Sequence, residues 1–262
     1  MKKAKRENWF GVVHEKTFFN MPDAARNPAR YEPEKMTRDR FETSEEYLKF
    51  KEDISRRNHY RKFMANFSKT SLYSTLTFDT EWEVHTFVDA KIIRRRLIRA
   101  LKRKYPDAVI FLYMGRGKAT KRIHFHMVSE GIPEEFIASK WKYGTIVDID
   151  PLREHNYYNG VDHGADYAGL ANYLFDHWTE EVGGHRWFQT KNAKEPEKDP
   201  PEELAEGETY SEKNPPEAPK GYKLVEAKAT SYGYLYFKYV VVPPKDPRRP
   251  AAKNNRTKGR LD

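Results

Sequence analysis

Between Ser71 and Asp150 the chain alternates short runs of β-branched and aromatic residues with helical stretches, and their order restricts the fold. Ser71 to Phe78 reads as a strand that ends at Asp79-Thr80. A helix is expected from about Thr86 to Tyr105, stopped by Pro106, with Val88, Ile92, Leu97, Ile98 and Leu101 as its buried stripe. Ala108 to Met114 reads as an apolar strand. Gly115-Arg116-Gly117-Lys118 reads as a turn leading into a strand through His124. Pro133 opens a short helix through Trp141, and Gly144 to Ile149 reads as one more strand, closed by Asp150-Pro151. Strand, helix, strand, strand, helix, strand is the order of the ferredoxin-like (RRM-like) motif. The expected class is therefore α+β, an antiparallel sheet with helices packed on one face.

Around this unit, residues 1–43 mix charge, Pro and a few aromatics without a period and read as an irregular arm. Thr43 or Ser44 is placed to cap a helix reaching about Phe67, with Glu46 in its first turn. Asp166 to Glu181 reads as an added helix stopped at Gly183-Gly184, and Arg186 to Thr190 as a short strand. Residues 193–220 hold six Pro and many Glu, which suits a loop or disordered insertion. Strand-like patterning resumes from Tyr222 to Val242. The expected organisation is an arm over 1–43, one domain over 44–242 carrying the 193–220 insertion, and a basic tail over 243–262.

Within the third strand stands His124-Phe125-His126. Side chains alternate faces along a strand, so both imidazoles project from one face and Phe125 from the other. Two neutral imidazoles side by side form half of a divalent-metal site. The same pair also suits an exposed polar strand face.

Composition limits the chemistry. The chain has no cysteine, which excludes disulfides, Cys-ligated zinc and thiol nucleophiles and suits a reducing cytoplasm. No apolar run approaches the length that spans a bilayer, and the start, Met1 to Arg6, lacks a secretory apolar stretch. A cytoplasmic protein without a membrane partner is expected. The formal charge of +9 favours a polyanionic partner, nucleic acid first. Eight basic residues and no acidic one lie between Lys91 and Lys104. Arg95, Arg99 and Arg103 there, with Lys121 and Arg122 ahead of the His pair, are the candidate DNA contacts; a solvated helix face is the alternative.

A metal can polarise a phosphodiester, and a tyrosinate can attack it and hold the DNA end covalently. Tyr173 lies in the added helix. Tyr167, six residues earlier, points about 120° away, so one tyrosine rather than a pair is expected. Tyr173, Asp176 and His177 share a face at i, i+3 and i+4. Tyr157 and Tyr158 remain outside candidates.

Four segments together resemble the HUH endonucleases, the rolling-circle replication initiators (Rep proteins) of phages, plasmids and integrative elements, especially those related to the filamentous-phage initiator. They are Ser74 to Asp79, Arg122 to Met127, Trp141 to Val147 with its Trp-x-x-Gly, and Leu170 to Leu174. Arg186 to Pro196 resembles the tail of the same domain, and the resemblance covers roughly residues 55–242.

It implies His124 and His126 as ligands of Mg²⁺ or Mn²⁺, and Tyr173 as the nucleophile. It further implies nicking and strand transfer through a 5′-phosphotyrosine on single-stranded or hairpin origin DNA, served by a host helicase and polymerase. Two positions depart from the family pattern. Met114 stands where an acidic third ligand is usual, which leaves Asp79, Asp176 or His177 as substitutes. Asp176 stands where a Lys is common. A non-catalytic nucleic-acid binder on the same scaffold is the rival reading. A mobilisation relaxase or a transposase would use the same chemistry.

Overall fold

The computed structural model describes residues 2–21, 43–117, 121–145, 147–177, 187–229 and 234–247. Strands β1 (Lys2–Phe10) and β2 (Val13–Met21) form a hairpin, followed by helix α1 (Ser44–Asn66). Then come β3 (Leu72–Thr77), α2 (Phe87–Lys104), β4 (Val109–Arg116), β5 (Ile123–Glu130), α3 (Glu134–Lys140) and β6 (Val147–Pro151). Two short strands, β7 (Tyr157–Tyr158) and β8 (Val161–Asp162), pair ahead of α4 (Ala168–Asp176). The remainder comprises β9 (Phe188–Gln189), β10 (Glu197–Lys198), β11 (Glu202–Glu203), β12 (Tyr222–Ala229) and β13 (Leu235–Val241).

The helix starts follow from capping. The Thr43 hydroxyl accepts from the Glu46 N–H at 3.1 Å while the Glu46 carboxylate accepts from the Thr43 N–H at 3.3 Å, a reciprocal capping box. Thr86 caps α2 through the Asp89 N–H at 3.2 Å. At the other end of α2, Lys102, Arg103 and Lys104 suit the negative end of the helix dipole.

The sheet built from residues 72–151 and completed by β9 is wholly antiparallel, in the order β6-β3-β5-β4-β9. Alternation along its strands divides the interior in two. Leu76, Leu112, Met114, Phe125 and Met127 pack with Phe87, Leu97, Leu101 and Ile137 of α2 and α3. On the opposite face, Phe111, Tyr113 and Val128 pack with Tyr60, Phe63 and Met64 of α1 and with Ala171 and Leu174 of α4. The added helix thus covers the face that carries the two His. Gly115 and Arg116 continue β4 rather than forming a turn.

A second antiparallel sheet runs β10-β1-β2-β13-β12, with β11 also on β1. It corrects the reading of residues 1–43 as an irregular arm: residues 2–21 are two full strands, and 22–42 lie outside the described residues. The alternation was masked because polar residues point inward. Asn8, His14 and Glu15 are buried, Glu15 being held by Arg61 at 2.6 Å and by the Tyr236 hydroxyl at 2.7 Å. Phe10, Val13 and Val240 extend the α1 core.

The 193–220 insertion is likewise not structureless. Its strands β10 and β11 close the outer edge of β1. Leu204, Tyr210 and Ala218 pack on Phe18, Phe237 and Tyr239, and the Pro216 carbonyl accepts from the Tyr239 hydroxyl at 2.7 Å. Covering an edge strand in this way removes a template for intermolecular pairing. Of the expected helix 166–181, α4 covers Ala168–Asp176, and 178–186 lie outside the described residues, as does Arg186 of the expected strand. Of the basic tail, residues 248–262 lie outside them too.

Candidate metal centre

His124 and His126 stand on β5 opposite Gly115 and Tyr113 of β4, and opposite Thr77 and Thr75 of β3. His177, the residue that ends α4, reaches the same place. One ligand nitrogen from each of the three lies within 4.8 Å of the others. In tetrahedral coordination a metal–nitrogen bond of about 2.1 Å sets a nitrogen separation of about 3.4 Å, within the upper bound that these three nitrogens define.

Glycine makes this possible. A Cβ on Gly115 would lie 2.2 Å from Nε2 of His177 and 2.8 Å from its carbonyl oxygen. The side-chain-free position beside His124 is therefore where the third imidazole sits. Met114 points into the opposite core and takes no part. A second close approach fixes the end of β3. A Cβ on Gly144 would strike the Thr77 carbonyl at 2.0 Å, the Trp141 indole donates to that carbonyl at 2.9 Å, and the Asp79 N–H donates to Tyr143 at 2.9 Å.

The three imidazoles are suited to a cation. Burial lowers the pKa of His126 to about 3, assisted by the neighbouring His177 and His124. Burial with His124 nearby brings His177 down to about 4. Burial also lowers His124, opposed by the Arg122 carbonyl. All three are neutral at physiological pH and offer lone pairs. Nδ1 of His126 is engaged by the Tyr73 hydroxyl at 2.7 Å, which fixes the ring and leaves Nε2 as its ligand atom. Nε2 of His177 is buried without a hydrogen-bond partner among the described residues. A buried orphan of this kind carries a desolvation cost that a metal would offset.

Tyr173 stands beside this cluster. Half its surface is exposed, and its hydroxyl lies 3.2 Å from Nε2 of His126. Tyr167 is buried among Phe63 and its neighbours, and burial raises its pKa. Tyr157 bonds Asp246 at 3.0 Å, and Tyr158 accepts from the Gly169 N–H at 2.7 Å, so neither is at the cluster. Of the three substitutes for a third ligand, only His177 joins the His pair. Asp79 accepts from Thr145 at 3.2 Å, and Asp176 pairs with Arg56 at 2.6 Å.

The candidate DNA contacts divide. Lys121 and Arg122 are exposed just ahead of His124, with Arg122 paired to Glu83 at 3.3 Å. Arg95, Arg99 and Arg103 are exposed on α2, across the sheet from the imidazoles.

Composition and spacing did not single out Tyr73, Gly115 or Asp166. Asp166 is fully buried and locks the start of α4. It accepts from the Ala168 N–H at 3.1 Å, from Tyr60 at 2.7 Å and from Lys238 at 2.9 Å. An Asp two residues ahead of a helix was its available signal. Comparison with family models, curated proteins and solved structures returned no match. No described helix is long and apolar enough to cross a membrane.

Proposed function

We propose that the chain is a metal-dependent single-strand DNA nickase and strand transferase of the HUH type, acting as a rolling-circle replication initiator. One observation carries this reading: a half-exposed tyrosine hydroxyl stands 3.2 Å from one of three clustered imidazoles. The strand order β6-β3-β5-β4, equivalent to 4-1-3-2 within the βαββαβ unit, agrees with the ferredoxin-like arrangement implied by the resemblance.

When bound, a divalent cation supplies Lewis acidity to a phosphodiester. Three nitrogen ligands suit Mn²⁺ better than Mg²⁺, which prefers oxygen. Nε2 of His126 has one lone pair, so it serves either the Tyr173 hydroxyl or a cation, not both. Tyr173 Oη attacks phosphorus: the P–Oη bond forms, the P–O3′ bond breaks, the phenolic proton passes to solvent, and the departing 3′-oxygen takes one up. The phosphotyrosine conserves the bond energy, so rejoining needs no external source. Tyr73 holds His126, while Asp166 anchors the helix that carries Tyr173.

The test is incubation of the full chain with labelled single-stranded oligonucleotides and Mn²⁺, followed by denaturing electrophoresis. A protease-sensitive shifted band, mapped by mass spectrometry to Tyr173, is expected. Binding without cleavage across a broad oligonucleotide set would favour the non-catalytic alternative.

A further inference from the structure

A groove of about 440 Å³ lies between α2 and α3, on the side of the sheet away from the imidazoles. Arg96, Arg103, Lys104 and Lys142 line it, and no acidic residue does. No carboxylate among the described residues forms an ion pair with these four. The end of the α2 dipole offsets Arg103 and Lys104 only in part, so the clustered like charges repel, and a polyanion relieves that repulsion. The groove is not purely electrostatic. Its walls include the half-buried rings of Phe136 and Tyr143. The Lys140 ammonium stands over the Phe136 ring, 4.7 Å from its centroid, so the groove presents a cation and an aromatic ring together.

We propose that this groove binds single-stranded nucleic acid, with phosphates on the cations and bases against the aromatic rings. Alternating charge and aromatic faces is the chemistry of sequence-tolerant single-strand binding. A duplex would offer phosphates but no free base faces. The acid-free stretch of α2 thereby acquires a concave site in which Arg103 takes part, whereas Arg95 and Arg99 lie outside its lining. The proposal does not depend on Tyr173 being a nucleophile; a chain without nicking activity would bind in the same way.

The test is anisotropy of a labelled oligo-dT with the full chain across a salt series. Replacing Arg96, Arg103, Lys104 and Lys142 together by Gln should weaken binding at least tenfold. The log–log salt slope should fall by about 3, at roughly 0.7 per phosphate contact. Phe136→Leu should weaken binding several-fold with the slope unchanged. A control with the same charge loss elsewhere, at Lys49, Lys51, Lys213 and Lys220, should change the slope by less than about 1. Circular dichroism melts establish that each variant is folded. An equal effect of the control, or an unchanged slope in the groove variant, overturns the site. Competition by polyglutamate or by duplex DNA as effective as that by unlabelled oligo-dT overturns the single-strand assignment.

Discussion

Gly115 and His177 share one space: a Cβ on the first would lie 2.2 Å from Nε2 of the second. Gly115→Ala should therefore displace His177 and lower metal affinity by one to two orders of magnitude, as His177→Ala should. Titration calorimetry with Mn²⁺ or Co²⁺ reads this. Wild-type affinity in the alanine variant would show that His177 is not a ligand.

The other two candidate third ligands separate from the imidazoles under the same titration. Asp79→Asn and Asp176→Asn should bind metal as wild type does, because Thr145 and Arg56, not the cluster, hold those carboxylates. His124→Ala and His126→Ala should each lose binding. Loss in Asp79→Asn would reassign the third ligand.

The two helix tyrosines should behave oppositely. Tyr173→Phe removes the hydroxyl at the cluster and should abolish any covalent DNA adduct while leaving the melting temperature close to wild type. Tyr167→Phe removes a buried hydroxyl that has no hydrogen-bond partner among the described residues. It should be neutral or stabilising by up to about 1 kcal/mol and should keep the adduct. An adduct that survives Tyr173→Phe excludes that residue as nucleophile.

Asp166 sets an acid limit on stability. Burial by itself would raise its carboxyl, but His163, the Lys238 ammonium and Tyr60 outweigh that and bring it down to about 2 from 3.8. A depressed carboxyl contributes stability that is complete above its unfolded value and is lost as pH falls through the folded one. The loss should fall between about pH 4 and pH 2 and amount to about 2 kcal/mol. Asp166→Asn should cost about 3 kcal/mol near neutrality, because buried Lys238 loses its contact at 2.9 Å and keeps the more distant Glu226 at 3.9 Å. Urea midpoints of both proteins from pH 6 to pH 2 should converge towards the acid end. Parallel curves would mean that the ion pair is not what titrates.

Shortening residues 193–220 to a brief Gly/Ser linker should lower the melting temperature and promote concentration-dependent association, since it bares the β1 edge, Phe237 and Tyr239. Light scattering against concentration measures the second effect. A monomer of unchanged stability would mean that the β10 and β11 pairings contribute little.

Where one strand face was apolar, the sequence was legible. β3, β4 and β5 bury Leu76, Leu112 and Phe125 at period two, and α2 buries Leu97, Ile98 and Leu101 of its expected stripe, whereas Val88 and Ile92 in its first turns are exposed and Phe87 and Ala90 are buried instead. The shared face of His124 and His126 followed from the strand period, and the separation of Tyr167 from Tyr173 from the helical one. In the second sheet, β12 and β13 fall within the strand-like stretch expected from Tyr222 to Val242. The β1–β2 hairpin was not legible, because Asn8, His14 and Glu15 put polar atoms at inward positions and the partners of Glu15, Arg61 and Tyr236, are distant in the chain. His177 stood among three candidates because only the packing of α4 over Gly115 distinguishes it, and that contact spans the fold. The basic stripe was legible as charge, but its side of the sheet was not.

The alternation along β5 gives this strand a reading frame. Ile123, Phe125 and Met127 fill one core while His124 and His126 face the other side. Inserting or deleting a single residue there would turn imidazoles into the apolar layer and aromatic bulk into the imidazole cluster. Variation that preserves both has to come from elsewhere, and the third imidazole already does: it is carried on a helix, where adjusting the ligand set leaves the β-ladder intact.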